Sequence, residues 1–174
     1  MRRSVPTENV WGDIVGYSRA VRAGNLIFVS GTTASGPDGK ALHPGESGPQ
    51  TRVILDRIEA ALMKLGGSLD QVVETRIYLC DIDQWEAVGK VHGEVFAAIR
   101  PATTMVEVSR LIASDLVVEI SATAILDSDT PLSARKRQRT RLPRRLGGGG
   151  AAHGKNRPDP LRPTPRNAAP SMTA

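Results

Sequence analysis

The chain has 174 residues, a length for one domain with an appendage, and its charge is segregated: residues 1–130 hold 12 Lys and Arg against 17 Asp and Glu, residues 131–174 hold 11 basic residues against Asp159 alone. The basic character therefore belongs to the last segment, and the mildly acidic first part gives no charge-based reason to expect a nucleic-acid-binding domain. A single cysteine, Cys80, excludes an intramolecular disulfide, and no run approaches the roughly 18–20 apolar residues of a membrane span, so a cytoplasmic enzyme or binding protein is the expected class.

Residues 1–16 read as a lead-in with little periodicity, and Met1-Arg-Arg-Ser-Val-Pro6 is not followed by an apolar signal run. Tyr17–Arg22 and Leu26–Thr32 are short β-like runs around Ala23-Gly24-Asn25, a pair joined by a tight hairpin. Residues 33–49 are rich in Gly and Pro and predict a surface loop. Ile54, Ile58, Ala61, Leu62 and Leu65 recur at helical spacing over 50–65, and Gly66-Gly67 ends that helix. Ser68–Gln71 predicts a short turn, and Val72–Cys80, rich in Val, Ile, Thr and Tyr, a strand.

Asp81 or Asp83 can cap a second helix carrying one stripe of Trp85, Val88, His92, Val95, Phe96 and Ile99. Pro101 terminates it, because the residue before proline is pushed out of the helical region. Thr103–Val108 and Val117–Leu126 are the last strands. The order β-β-α-β-α-β-β predicts an α+β domain: a mixed sheet with both helices on one face. Strand residues of both parities are largely apolar, Ile27 and Val29 against Leu26 and Phe28 among them. The other face then packs on a second subunit, or lies under the loops at 33–49 and 109–115. Residues 131–174, with Arg135-Lys-Arg-Gln-Arg-Thr-Arg141, Gly147–Gly150 and a Pro/Arg/Ala run, hold too few large apolar residues to offset ordering entropy and are expected to be disordered.

Glu119 stands inside an otherwise apolar strand, where a carboxylate is costly unless it is paired, hydrogen-bonded or facing a cleft. Two readings stand: a partly desolvated base that activates water, or a structural partner of an arginine such as Arg76. His43, His92 and His153 have no Cys or acidic partner at metal spacing, so no metal is expected. The loop glycines are not followed by Gly-Lys-Ser/Thr, so nucleotide binding is not indicated.

Gly16-Tyr17, Phe28-Val-Ser-Gly31, Gly66-Gly-Ser-Leu-Asp-Gln-Val-Val-Glu-Thr75, Val106-Glu-Val108 and Val118-Glu-Ile120 occur in this order over residues 7–126. Together they resemble the Rid family (reactive intermediate deaminases, or YjgF-like proteins). The resemblance implies a chorismate-mutase-like fold and a homotrimer with a cleft between neighbouring subunits. It also implies cofactor-independent hydrolysis of small enamines or imines, such as 2-aminoacrylate, with release of ammonia. By the same resemblance Glu119 helps position a water, and Tyr17, Ser30 and Gly31 shape the pocket. The deaminating members carry an arginine where this chain has Thr103, a frequent cysteine is Met105, and an asparagine of some members is Gly89.

Thr103 offers one neutral hydroxyl in place of a bidentate, charge-assisted grip on a carboxylate. Tyr17 serves either a ligand or subunit packing. Ser30 and Gly31 either expose backbone N–H groups to a ligand or simply end a strand. Met105 reads as a cleft or core filler. The expected function is imine or enamine hydrolysis with altered substrate preference, on a domain spanning 1–130. The alternatives are a non-catalytic metabolite-binding trimer, or an RNA-directed, endoribonuclease-like role through the tail. The tail has no aromatic residue for base stacking, so nucleic acid is the weaker alternative.

Overall fold

The computed structural model describes residues 1–7 and 11–127. The basic segment 131–174, for which disorder was expected, and the proposed domain boundary at 130 lie outside the described residues. The elements are β1 (Arg2–Val5), α1 (Trp11–Val15), β2 (Ala20–Ala23), β3 (Leu26–Thr33), α2 (Ser47–Lys64), β4 (Val72–Leu79), α3 (Trp85–Phe96), β5 (Ala102–Glu107) and β6 (Val118–Ile125). They form a six-stranded sheet in the order β1-β2-β3-β6-β4-β5. Only the β4–β5 pairing is parallel; the others are antiparallel. A parallel pair needs a crossover, and α3 supplies it.

Two elements precede those expected. The supposed lead-in contains β1, an edge strand, and α1. Of β1 only Val5 is buried, so no alternation marks it in the sequence. The hairpin is as anticipated: Ala23 pairs with Leu26, and Gly24 supplies the positive φ of 65°. The first strand begins at Ala20, later than Tyr17. Residues 69–71 form a 3-10 turn, and the Asp81 carboxylate accepts from the Asp83 N–H to cap a second such turn ahead of α3.

Helix α2 buries Ile54, Leu55, Ile58, Ala61 and Leu62, with Leu65 beyond its end, against β3 and β6. Each such large aliphatic side chain contributes about 1.5–3 kcal/mol of transfer free energy. Its C-terminus closes as a Schellman motif: Gly67 N–H reaches Leu62 O at 2.9 Å, Gly66 N–H reaches Met63 O at 3.0 Å, and Gly66 takes φ 81°. Helix α3 lies on the same face, since His92 bonds the Thr75 hydroxyl of β4 at 3.1 Å. Trp85 departs from the expected stripe: at the first position of α3 it is 54% exposed. Arg100 turns the chain with φ 53° directly before Pro101.

Burial alternates strictly along β6, from Val118 through Ala124. Residues of the buried parity lie under the helices. The opposite parity forms an open face on which Phe28, Val106 and Ile125 are 47%, 41% and 43% exposed. The loops at 33–49 and 109–115 leave these residues exposed. Instead the buried Gln50 ties both loops to α2. Its amide nitrogen donates to His43 O (3.0 Å) and Asp115 O (2.7 Å), and its oxygen accepts from Val117 N–H (2.9 Å).

Candidate active site

The register of β3 against β6 slips between Val29 and Thr32, so Ser30 and Gly31 together oppose the single residue Ser121. A bulge of this kind bends the strand and re-aims its side chains. It lies beside Glu119, which pairs with Thr33 on one side and Tyr78 on the other. Glu119 is half-buried on the open face. A Cβ placed on Gly31 would fall 1.9 Å from Glu119 Oε1, so the carboxylate occupies the room left by the missing side chain. The close approach that Gly31 permits is thus made by Glu119 itself.

Burial raises the Glu119 carboxyl above its ordinary value, and the positive charge of Arg19 partly offsets this. Among the described residues the Glu119 carboxylate has no hydrogen-bond or ion-pair partner. Arg76 pairs with Glu74 at 2.9 Å and not with Glu119. Sequence reasoning missed Arg19. Its Nη1 donates to Gly31 O and to Thr32 Oγ1, both at 2.8 Å, and its guanidinium sits 5.8 Å from the centre of the Tyr17 ring. The signal was present: Tyr17 and Arg19 are two residues apart in a segment read as a strand, and such positions share a face.

Tyr17 and Ser30 join the same group. Tyr17 Oη accepts a long 3.4 Å bond from Arg19 Nη2. Ser30 Oγ donates to Ser18 O at 2.8 Å, which spends its proton and leaves an oxygen lone pair. Ser30 N–H donates to Arg19 O at 3.0 Å, so this N–H belongs to the sheet.

Thr103 and Met105 are not brought to this group within one protomer. They pair with Thr75 and Ile77 of β4, the buried parity, and so stand on the helix face of the edge strand β5. Thr103 Oγ1 lies 2.9 Å from Thr75 Oγ1 and 3.2 Å from Pro101 O. Met105 packs against the core. The His92 ring stacks near Phe96 at 4.6 Å, and burial lowers its pKa, as befits a packed neutral imidazole. Among the described residues no group of three or more His, Cys, Asp or Glu is placed to hold a metal ion, and no helix is long and apolar enough to cross a membrane.

A family model described as endoribonuclease L-PSP matches residues 8–126. The chain belongs to this family, the YjgF-like or Rid family. A solved YjgF/YER057c/UK114 family member from Mycobacterium tuberculosis is 48% identical, with a TM-score of 0.66, over 72% of this chain and all of that one. A RutC family protein of Pyrococcus horikoshii is 36% identical over 71% of this chain and 98% of its own length. A protein of Acinetobacter baylyi named 3-aminoacrylate deaminase RutC is 34% identical over 62% of this chain and 85% of its own. The Rid fold, an α+β mixed sheet of chorismate-mutase type, is thus the fold of this chain. In this Rid chain the open-face acid Glu119 and Thr103 stand on opposite faces of the sheet.

Proposed function

We propose that this chain hydrolyses small imines, or enamines through their imine tautomers, by cofactor-independent addition of water. Water adds to the imine carbon, the carbon–nitrogen bond breaks, and a carbonyl compound and ammonia leave. No electrons are exchanged, so the protein must supply only proton transfer and positioning. The observation that carries the reading is the half-buried, unpaired Glu119 carboxylate lying over Gly31, with the charge of Arg19, itself bonded to Gly31 O and Tyr17 Oη, acting on it. A carboxyl raised by burial works closer to neutral pH as a proton acceptor and donor. Glu119 takes a proton from the attacking water and returns one to the departing nitrogen. The Ser30 lone pair and the Tyr17 hydroxyl line the pocket. The Acinetobacter relative named as a deaminase supports the reaction class.

Thr103 and Met105 reach a cleft with Glu119 only if a neighbouring copy contributes them. A cytoplasmic homotrimer with its clefts between subunits satisfies that requirement, and Phe28, Val106 and Ile125 give the open face apolar area to bury. With threonine at 103 the substrate's carboxylate, if present, loses a bidentate partner. The preferred substrate is therefore a carboxylate-free imine, or one whose anion is held by Arg19.

The test is ammonia release from freshly generated 2-aminoacrylate and from a carboxylate-free imine. The parent chain should accelerate release from the second. Thr103→Arg should raise kcat/KM on 2-aminoacrylate by about 10- to 100-fold, the worth of one charge-assisted grip. Saturable binding with no release above background on either substrate would replace the enzymatic reading with a metabolite-binding one.

A further inference from the structure

A chain of polar contacts runs from α3 to the outer edge of the sheet. His92 Nε2 lies 3.1 Å from Thr75 Oγ1, Thr75 Oγ1 lies 2.9 Å from Thr103 Oγ1, and Thr103 Oγ1 donates to Pro101 O at 3.2 Å. Thr75 is fully buried on β4, whereas Thr103 is an exposed residue of the edge strand β5. A carbonyl oxygen only accepts, and this sets the direction of the chain. With the Thr103 proton on Pro101 O, the Thr75 hydroxyl donates to Thr103 Oγ1, and His92 Nε2–H donates to Thr75 Oγ1. The reverse order has Thr103 donate to Thr75, and Thr75 donate to the lone pair of His92 Nε2. It engages the Thr103 proton just as fully. In both arrangements the capacity left on Thr103 Oγ1 is a lone pair.

A hydroxyl whose proton is engaged serves a ligand as an acceptor. A carboxylate brought to it sets lone pair against lone pair, whereas a group carrying an N–H completes a hydrogen bond. We propose, on the reading that Thr103 lines a substrate cleft completed by a neighbouring copy, that Thr103 determines specificity as a hydrogen-bond acceptor. It selects imines that carry a neutral donor group, such as a carboxamide, beside the reacting carbon. A site built to bond a substrate N–H discriminates against the analogue that lacks it.

The test uses the full-length chain and two neutral analogues of 2-aminoacrylate, both freshly generated. In 2-aminoacrylamide the amide carries N–H donors; in methyl 2-aminoacrylate the ester carries none. The amide-to-ester ratio of kcat/KM for ammonia release should be about 3- to 10-fold higher in the parent than in Thr103→Val, the effect of one neutral hydrogen bond. Thr103→Ser should keep the parent ratio. Binding is read separately, from amide chemical shifts on titration with the hydrolysis products pyruvamide and methyl pyruvate. Pyruvamide should bind more tightly, with shifts at Thr103 and Thr104 that weaken in Thr103→Val. If no ammonia is released but pyruvamide keeps this preference, the hydrolytic reading fails and the acceptor role stands. The same amide-to-ester ratio in parent and Thr103→Val, or a pyruvamide titration that leaves Thr103 unshifted, would overturn the acceptor role whether or not hydrolysis occurs.

Discussion

Replacing Gly31 by alanine separates the placement of Glu119 from the integrity of the fold. Gly31 does not have a positive φ, so alanine brings no backbone strain. Its Cβ would lie 1.9 Å from Glu119 Oε1 and 2.9 Å from Cδ, whereas ordinary contact begins near 3.4 Å. The carboxylate oxygen must therefore retreat by about 1.5 Å, a distance set by those two separations. It is the far end of a flexible side chain, so the movement costs about 0.5–1.5 kcal/mol of rotamer strain, a few degrees of Tm. A catalytic group displaced by about 1 Å loses about 10²-fold in rate. Gly31→Ala should thus melt within a few degrees of the parent yet release ammonia about a hundredfold more slowly. In a Glu119→Gln background the same substitution should cost nothing further in rate. The Arg19 bond to the carbonyl of residue 31 survives the change and does not confound it. A parent-like rate in Gly31→Ala, or additive losses in the double variant, would refute the claim that Gly31 acts by making room for Glu119.

Three further outcomes are expected. Gln50→Leu leaves the Val117 N–H without its partner, while His43 O and Asp115 O keep the bonds they accept from Glu46 N–H and Gly45 N–H; at about 1–3 kcal/mol for one unsatisfied buried group, denaturant unfolding should show a loss of about 1–3 kcal/mol, and an unchanged stability would contradict the tether. Burial makes folded Glu119 bind its proton more tightly than the unfolded chain does, so between the ordinary value of 4.5 and the raised folded value stability falls as pH rises. Glu119→Gln removes that fall: the Tm of the variant relative to the parent should rise across this window and be flat below it, and the opposite slope would show the sign to be wrong. Arg19 pulls the Glu119 carboxyl down, so Arg19→Gln should move the acid limb of the kcat/KM profile to higher pH, and an unmoved limb would show that Arg19 does not act on the carboxylate.

The repeat of apolar residues determined most of the architecture before any coordinates. Ile54, Ile58, Ala61 and Leu62 describe one helical face whatever they pack against, and Gly66-Gly67 stops that helix because only a left-handed residue completes its closure. The hairpin at Gly24-Asn25 was legible for the same local reason. β1 was not, since an edge strand with one buried residue has no periodicity to display. The site was legible in part: Glu119 stood out as a charge among apolar neighbours, whereas Ser30-Gly31, read as the end of a strand, is a bulge inside β3, which runs on to Thr33.

What only the tertiary structure decided is who meets whom. Strand register sets which face each residue takes, and it depends on pairings between segments far apart in sequence. That register brings Arg19 to Glu119 and leaves Arg76 with Glu74. It turns Thr103 toward Thr75, on the face away from the acid. The bulge at Ser30-Gly31 exists only as a mismatch between two strands, so neither strand read alone could announce the space into which the Glu119 carboxylate fits.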